Sequence, residues 1–86
     1  MRKLIFAERA WNDYLYWQDN DKKMLKKTNT LLKDIARNGN TGIGKPESLR
    51  HREGWSRRIN DEHRIVYLIK DDNYVEILQC KGHYDD

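Results

Sequence analysis

The order of hydrophobic periods along the chain constrains it most. Segments of helical period fill the first half and β-branched, aromatic runs fill the second, so a helical layer and a sheet must come from separate halves. Trp11, Tyr14, Leu15 and Gln18 recur at helical spacing behind Glu8, whose charge suits a helix N-terminus. Met24, Thr28, Leu31, Leu32 and Ile35 mark one face of a second helix. The Asp19-Asn20-Asp21 cluster should break the first helix and cap the second, which ends at Gly39. Pro46 is expected to open a single helical turn over residues 47–49. Residues 55–59, 64–70 and 74–80 read as strands, the last two joined by a hairpin at Asp71-Asp72-Asn73. With residues 3–6 as a first strand, the expected order is β-α-α-β-β-β. This is an α+β fold, two helices packed on one side of an antiparallel sheet, in one domain over residues 1–86.

Composition narrows the setting. A single cysteine, Cys80, builds no disulfide framework and fits a reducing, cytoplasmic location. No run approaches the roughly 20 apolar residues of a membrane span, and the start lacks a signal peptide's long apolar region. Eighty-six residues bury only about 60–65% of their unfolded surface, so stabilisation by a partner subunit is expected. The net charge of +3 is concentrated in two blocks, residues 22–37 and 45–58, while the C-terminal third is acidic. Such blocks either meet a polyanion or simply solvate a helix face. The second block interleaves its arginines with His51, Trp55 and two glutamates, which is unlike plain solubilising charge.

Cys80-x-x-His83 is the only metal-like spacing and has no second ligand pair, so no metal or cofactor is expected. Cys80 reads instead as a small buried residue. Ser56, His83 and Asp85 could be combined into a hydrolase triad, but their spacing gives no support for one. More informative are Glu47, Arg50, Arg57, Arg58, Arg64, His83 and Tyr84. A carboxylate, an imidazole and guanidinium groups meet the needs of RNA transesterification: a base for the 2′-hydroxyl, an acid for the departing 5′-oxygen, and cations for the phosphorane. Each residue also has a structural reading. Glu47 could favour a helix N-terminus, Arg57 and Arg58 could decorate a half-exposed strand, Arg64 could pair with Asp61 or Glu62, and His83-Tyr84 could be a frayed tail.

The stretches Trp11-Asn12-Asp13-Tyr14-Leu15-Tyr16-Trp17-Gln18, Gly44-Lys45-Pro46-Glu47, Leu49-Arg50-His51, Gly54-Trp55-Ser56-Arg57-Arg58-Ile59, Glu62-His63-Arg64-Ile65-Val66-Tyr67 and His83-Tyr84 resemble the YoeB toxin family, within the RelE/ParE group, almost end to end. The resemblance implies a RelE-like ribonuclease fold and a toxin of a type II toxin–antitoxin system. It further implies an endoribonuclease that enters the A site of the small ribosomal subunit and cuts mRNA there without a metal, leaving a 2′,3′-cyclic phosphate. By the same resemblance Glu47 is the general base, Arg64 the transition-state arginine and His83 the general acid. Tyr84 holds the scissile nucleotide, Arg58 contacts phosphate, and Arg50, where relatives can carry lysine, joins Lys45 in substrate binding. The implied partners are a YefM-type antitoxin, a second copy in a homodimer, the ribosome with its mRNA, and operator DNA through the antitoxin complex; no membrane is implied. A non-catalytic module that binds antitoxin for co-repression is the alternative, and a ParE-like gyrase inhibitor a third reading. Two departures stand out. The loop over residues 51–54 is shorter than in some relatives, and Asp85-Asp86 extends past Tyr84, where two carboxylates would both favour a protonated His83 and repel phosphate.

Overall fold

The computed structural model describes residues 1–84. Strand β1 (Lys3–Phe6) leads into helices α1 (Glu8–Asn20) and α2 (Lys22–Asn38), followed by strands β2 (Glu47–Ser48), β3 (Trp55–Arg58), β4 (Arg64–Ile69) and β5 (Tyr74–Gln79). The strands form one sheet in the order β1-β5-β4-β3-β2, with both helices on one face. The α+β architecture is the expected one, and the five residues read as the inward face of α2 are all buried. Met24, Leu31, Leu32 and Ile35 among them pack with Trp17 against Ile65, Tyr67, Val75 and Ile77 of β4 and β5. Helix α1 runs two residues further than its pattern indicated, and Asp21 alone makes the break. Its carboxylate accepts from the Met24 amide at 3.1 Å and caps α2.

Two local expectations are corrected. The sheet is mixed, because β1 runs parallel to β5 from Lys3↔Tyr74 to Phe6↔Ile77. Strand direction here follows from tertiary placement: Phe6 must deliver the chain directly into α1 on the covered face, and the Ala7 amide continues the ladder to the Ile77 carbonyl at 2.9 Å. Residues 47–48 form an edge strand in place of a helical turn, pairing Glu47 with Ser56 and Ser48 with Trp55. Pairing with β3 satisfies backbone groups that one isolated turn would leave open, and the Leu49 amide adds a bond to the Gly54 carbonyl at 2.9 Å. Pro46 precedes the strand, where its missing N–H costs nothing.

Arg57 is also corrected. It is fully buried on the helix side of β3 and belongs to the packing of the loop after α2. Its Nε donates to the Tyr67 hydroxyl at 3.1 Å, Nη1 to the Ile43 carbonyl at 3.0 Å and to the Asp34 carboxylate, and Nη2 to the carbonyls of Gly39 (2.6 Å) and Thr41 (2.9 Å). One guanidinium thereby fastens residues 39–43 to the sheet.

Cys80 is buried as expected, with its thiol donating to the Ala10 carbonyl at 3.3 Å. Burial pushes the thiol up to about 12, with the Asp13 charge adding to the effect and Arg9 opposing it. In the folded protein at pH 8, labelling of Cys80 by a disulfide reagent should run about 10³-fold slower than in denaturant. A stopped-flow comparison of native and unfolded protein checks this, and equal rates would contradict the buried placement.

Candidate active site

Register places the candidate residues. Antiparallel partners share a face, so Glu47 on β2, Ser56 on β3, Val66 on β4 and Gln79 on β5 form one row across the helix-free side of the sheet. Arg64 lies two residues before Val66 on the same side, opposite Arg58. Between β4 and β5 the register jumps from Tyr67↔Ile77 to Val66↔Gln79, leaving Leu78 without a partner. This bulge turns Gln79 from the core face to the open face and redirects the chain toward the row.

A cleft of about 550 Å³ opens there. Glu47 and Arg50 line one side, Ser56 and Arg64 the floor, and His83 and Tyr84 the other side, with Ser48 and Leu49 at the β2 edge. Residues far apart in sequence thus share one polar space with two arginines facing it, an electropositive setting for a phosphodiester. Lys45 and Arg58 are not among the lining residues. Lys45 is exposed at φ 53 just before the cleft, and Arg58 borders a separate depression of about 240 Å³ between α2 and the Gly44 loop.

Among the lining side chains, Arg64 and Tyr84 have contacts that orient them. Arg64 donates from Nη1 to the Asn60 carbonyl (2.7 Å) and the His63 carbonyl (3.2 Å), which orients the fork. In place of a surface ion pair with Asp61 or Glu62, the alternative reading of Arg64, these bonds run to carbonyls of the turn before β4. Tyr84 receives the Arg52 guanidinium over its ring, 5.2 Å from the centroid.

The segment carrying His83 is tied at every step, so the frayed-tail reading is corrected. The Cys80 amide donates to Asp13 Oδ2 at 3.0 Å, and its carbonyl accepts from Trp17 Nε1 at 2.8 Å. The Lys81 carbonyl accepts from Arg9 Nη2 at 3.0 Å. Gly82 bonds on both sides, its carbonyl to the Arg64 amide (3.0 Å) and its amide to His63 Nδ1 (2.8 Å). Gln79 Nε2 adds bonds to the carbonyls of Gly82 and His83. Asp85 and Asp86, read as neighbours of His83, lie outside the described residues.

Ser56 and the Ser48-Leu49 edge were not among the residues put forward for substrate contact. Reading Glu47 as a strand residue opposite β3 would have exposed Ser56, since the alternation around the buried Arg57 puts Ser56 on the open face. His63 carried no sequence signal, because its bond to Gly82 spans 19 residues. Among the described residues no group of three or more His, Cys, Asp or Glu side chains could hold a metal ion, and Cys80 is turned to the core while His83 lines the cleft. Nor is any described helix long and apolar enough to cross a membrane.

Helices on one face of a small mixed sheet, with a carboxylate, arginines and an imidazole around a cleft on the other, make up an α+β fold of the RelE-like class. The chain belongs to the YoeB family: the model for the YoeB-like toxin of bacterial type II toxin-antitoxin systems matches residues 6–84. It is 51% identical over 84 residues to toxin YoeB of Escherichia coli strain K12, covering 95% of this chain and 99% of that protein. The YoeB dimer from Staphylococcus aureus is similar in structure with a TM-score of 0.88 at 55% identity, over 96% of this chain and 98% of that one. The YoeB–YefM complex from the same organism gives 0.86 at 52% identity, over 98% and 99%.

Proposed function

We propose that this toxin is an endoribonuclease that cuts mRNA in the ribosomal A site. Glu47 takes the 2′-hydroxyl proton, the freed oxygen attacks the adjacent phosphorus, and Arg64 meets the charge that gathers on the phosphorane oxygens. His83 protonates the 5′-oxygen as its bond to phosphorus breaks, leaving a 2′,3′-cyclic phosphate and a 5′-hydroxyl. Tyr84 holds the scissile nucleotide and Arg50 binds the substrate beside it, with Lys45 and Arg58 contacting the strand outside the cleft. The observation that carries this reading is the convergence of Glu47, Arg64 and His83, from β2, β4 and the segment after β5, on one cleft. By analogy with the Staphylococcus aureus assemblies, a YefM-type antitoxin and a second copy of the chain are its protein partners, with operator DNA reached through the antitoxin complex.

An exposed, open cleft on so small a chain offers few surfaces to hold a flexible strand, and positioning is a large part of the barrier. Cleavage should therefore be fast on mRNA threaded through ribosomes and slow on the same RNA free in solution. End-labelled products from both reactions, resolved for terminal phosphate, check the proposal. Brisk cutting of free RNA would remove the ribosome from the mechanism, and a linear 3′-phosphate formed at the first step would remove the transesterification.

A further inference from the structure

One imidazole links the segment that carries His83 to the strand that carries Arg64. His63 Nδ1 accepts the Gly82 amide proton at 2.8 Å, and an acceptor at Nδ1 puts the proton of the neutral ring on Nε2. The side chain is 15% exposed, stands edge-on to Trp17 with 4.8 Å between centroids, and turns Nε2 toward the Glu62 carboxylate at 3.8 Å. Its own backbone is equally committed. The amide donates to Asn60 Oδ1 at 2.7 Å, and the carbonyl accepts from the Ile59 amide at 2.9 Å and from Arg64 Nη1 at 3.2 Å. Gly82 is thus gripped on both sides, by the His63 ring at its amide and by the Arg64 amide at its carbonyl. It does so at φ +94, a conformation that a side chain would strain.

We propose that His63 is a positioning residue for the cleavage reaction: by accepting the Gly82 amide at Nδ1 it sets where the His83 imidazole stands relative to the Arg64 guanidinium. This rests on the reading of the cleft as a site of RNA transesterification. The Gly82 amide that His63 holds lies one peptide before His83 and fixes the approach of the chain to it. Losing the acceptor therefore frees rotation at Gly82 and lets the His83 imidazole drift while Arg64 stays on its strand. A misplacement of about 1 Å between reacting groups costs on the order of 10²-fold in rate. A ring retained only to pack against Trp17 would be replaced by phenylalanine with no kinetic consequence, which separates the two roles.

The test uses the full chain as His63→Phe, His63→Asn and His63→Gln. Asparagine keeps an acceptor at the δ position, whereas glutamine moves it to the ε position, beyond the Gly82 amide. Single-turnover cleavage at saturating ribosomes should fall about 10²-fold for the Phe and Gln variants, with the half-saturating ribosome concentration unchanged, and Asn should restore most of the rate. Amide exchange in the ribosome-free protein, followed by nitrogen-resolved NMR, should show Gly82 protection lost with Phe and Gln and regained with Asn. If the Phe variant fails to fold, the Asn–Gln pair makes the same comparison. Full-rate cleavage by a folded Phe or Gln variant would overturn the proposal, as would an Asn variant as slow as Gln. A wild-type protein that cuts no ribosomal mRNA would instead overturn the reading of the function, and with it any catalytic purpose for the clamp. The exchange data would still report the clamp by itself.

Discussion

His83→Ala is expected to slow cleavage of ribosome-bound mRNA by roughly 10²–10⁴-fold at saturating ribosomes, with the fold intact. The size follows from the leaving group. A 5′-alkoxide is a poor leaving group unless a proton arrives as the bond breaks, and among the cleft residues the His83 imidazole is the group suited to deliver it. Glu47→Ala should cost a comparable factor, because the 2′-hydroxyl then has no carboxylate to take its proton. Both residues are exposed, Glu47 on the edge strand and His83 on the segment after β5, so stability should change by no more than about 0.5 kcal/mol in either variant. The double variant should fall well short of the product of the two factors, since in the proposed mechanism base and acid act on the same transition state. Quench-flow measurement on programmed ribosomes, with a thermal melt of each variant alongside, supplies the numbers. Wild-type rates from either folded single variant would remove that residue from the chemistry.

Half of this site could be read before any coordinates. The face of α2 was legible because its burial follows one helical period, from Met24 to Ile35, and nothing tertiary competes with it. The hairpin at residues 71–73 was legible because Asp71 makes the turn itself, accepting from the Asn73 and Tyr74 amides at 2.6 and 3.3 Å. Glu47, Arg64 and His83 could be put forward by residue type and by family resemblance, but their convergence depends on registers that a sequence does not print. The Leu78 bulge is the clearest case: one extra residue flips Gln79 to the open face ahead of the segment that brings His83 and Tyr84 to the cleft, and no composition signal marks it. Residues 47–48 were misread for a related reason. A local cap at Pro46 competes with a long-range pairing to Trp55 and Ser56, and the pairing wins because it satisfies more backbone groups. Two adjacent arginines on a strand look alike in sequence, yet alternation sends Arg57 into the core and leaves Arg58 on the outside.

That buried arginine sets the second large effect, on stability. Arg57→Met keeps the volume of the side chain but removes its donors, leaving the Asp34 carboxylate and the carbonyls of Gly39, Thr41 and Ile43 facing an apolar chain. Asp34 is part-exposed, so losing its partner costs less than the roughly 3–5 kcal/mol of a fully buried pair. Each carbonyl left without a donor adds about 1–3 kcal/mol, and in a domain of this size each kcal/mol moves the melting temperature by about 4–8 °C. The variant should therefore melt more than about 12 °C below the parent at pH 7. The difference should also depend on pH, with a definite sign. The Arg57 hydrogen bond, against the opposing effect of burial, holds the Asp34 carboxyl below the usual carboxylate range. A lowered folded-state value stabilises the protein fully above the unfolded carboxyl's pKa of about 3.9, and that contribution drains away as pH falls through the folded value. Arg57→Met forfeits it, so the gap between parent and variant should be widest near neutrality and narrow in acid. The gap should not close, because the bonds to three carbonyls and the Tyr67 hydroxyl are lost at every pH. Urea unfolding of both proteins at pH 7 and pH 3 measures the two components separately. A variant within about 4 °C of the parent at pH 7, or a gap that widens in acid, would mean that the guanidinium does not hold residues 39–43 to the sheet.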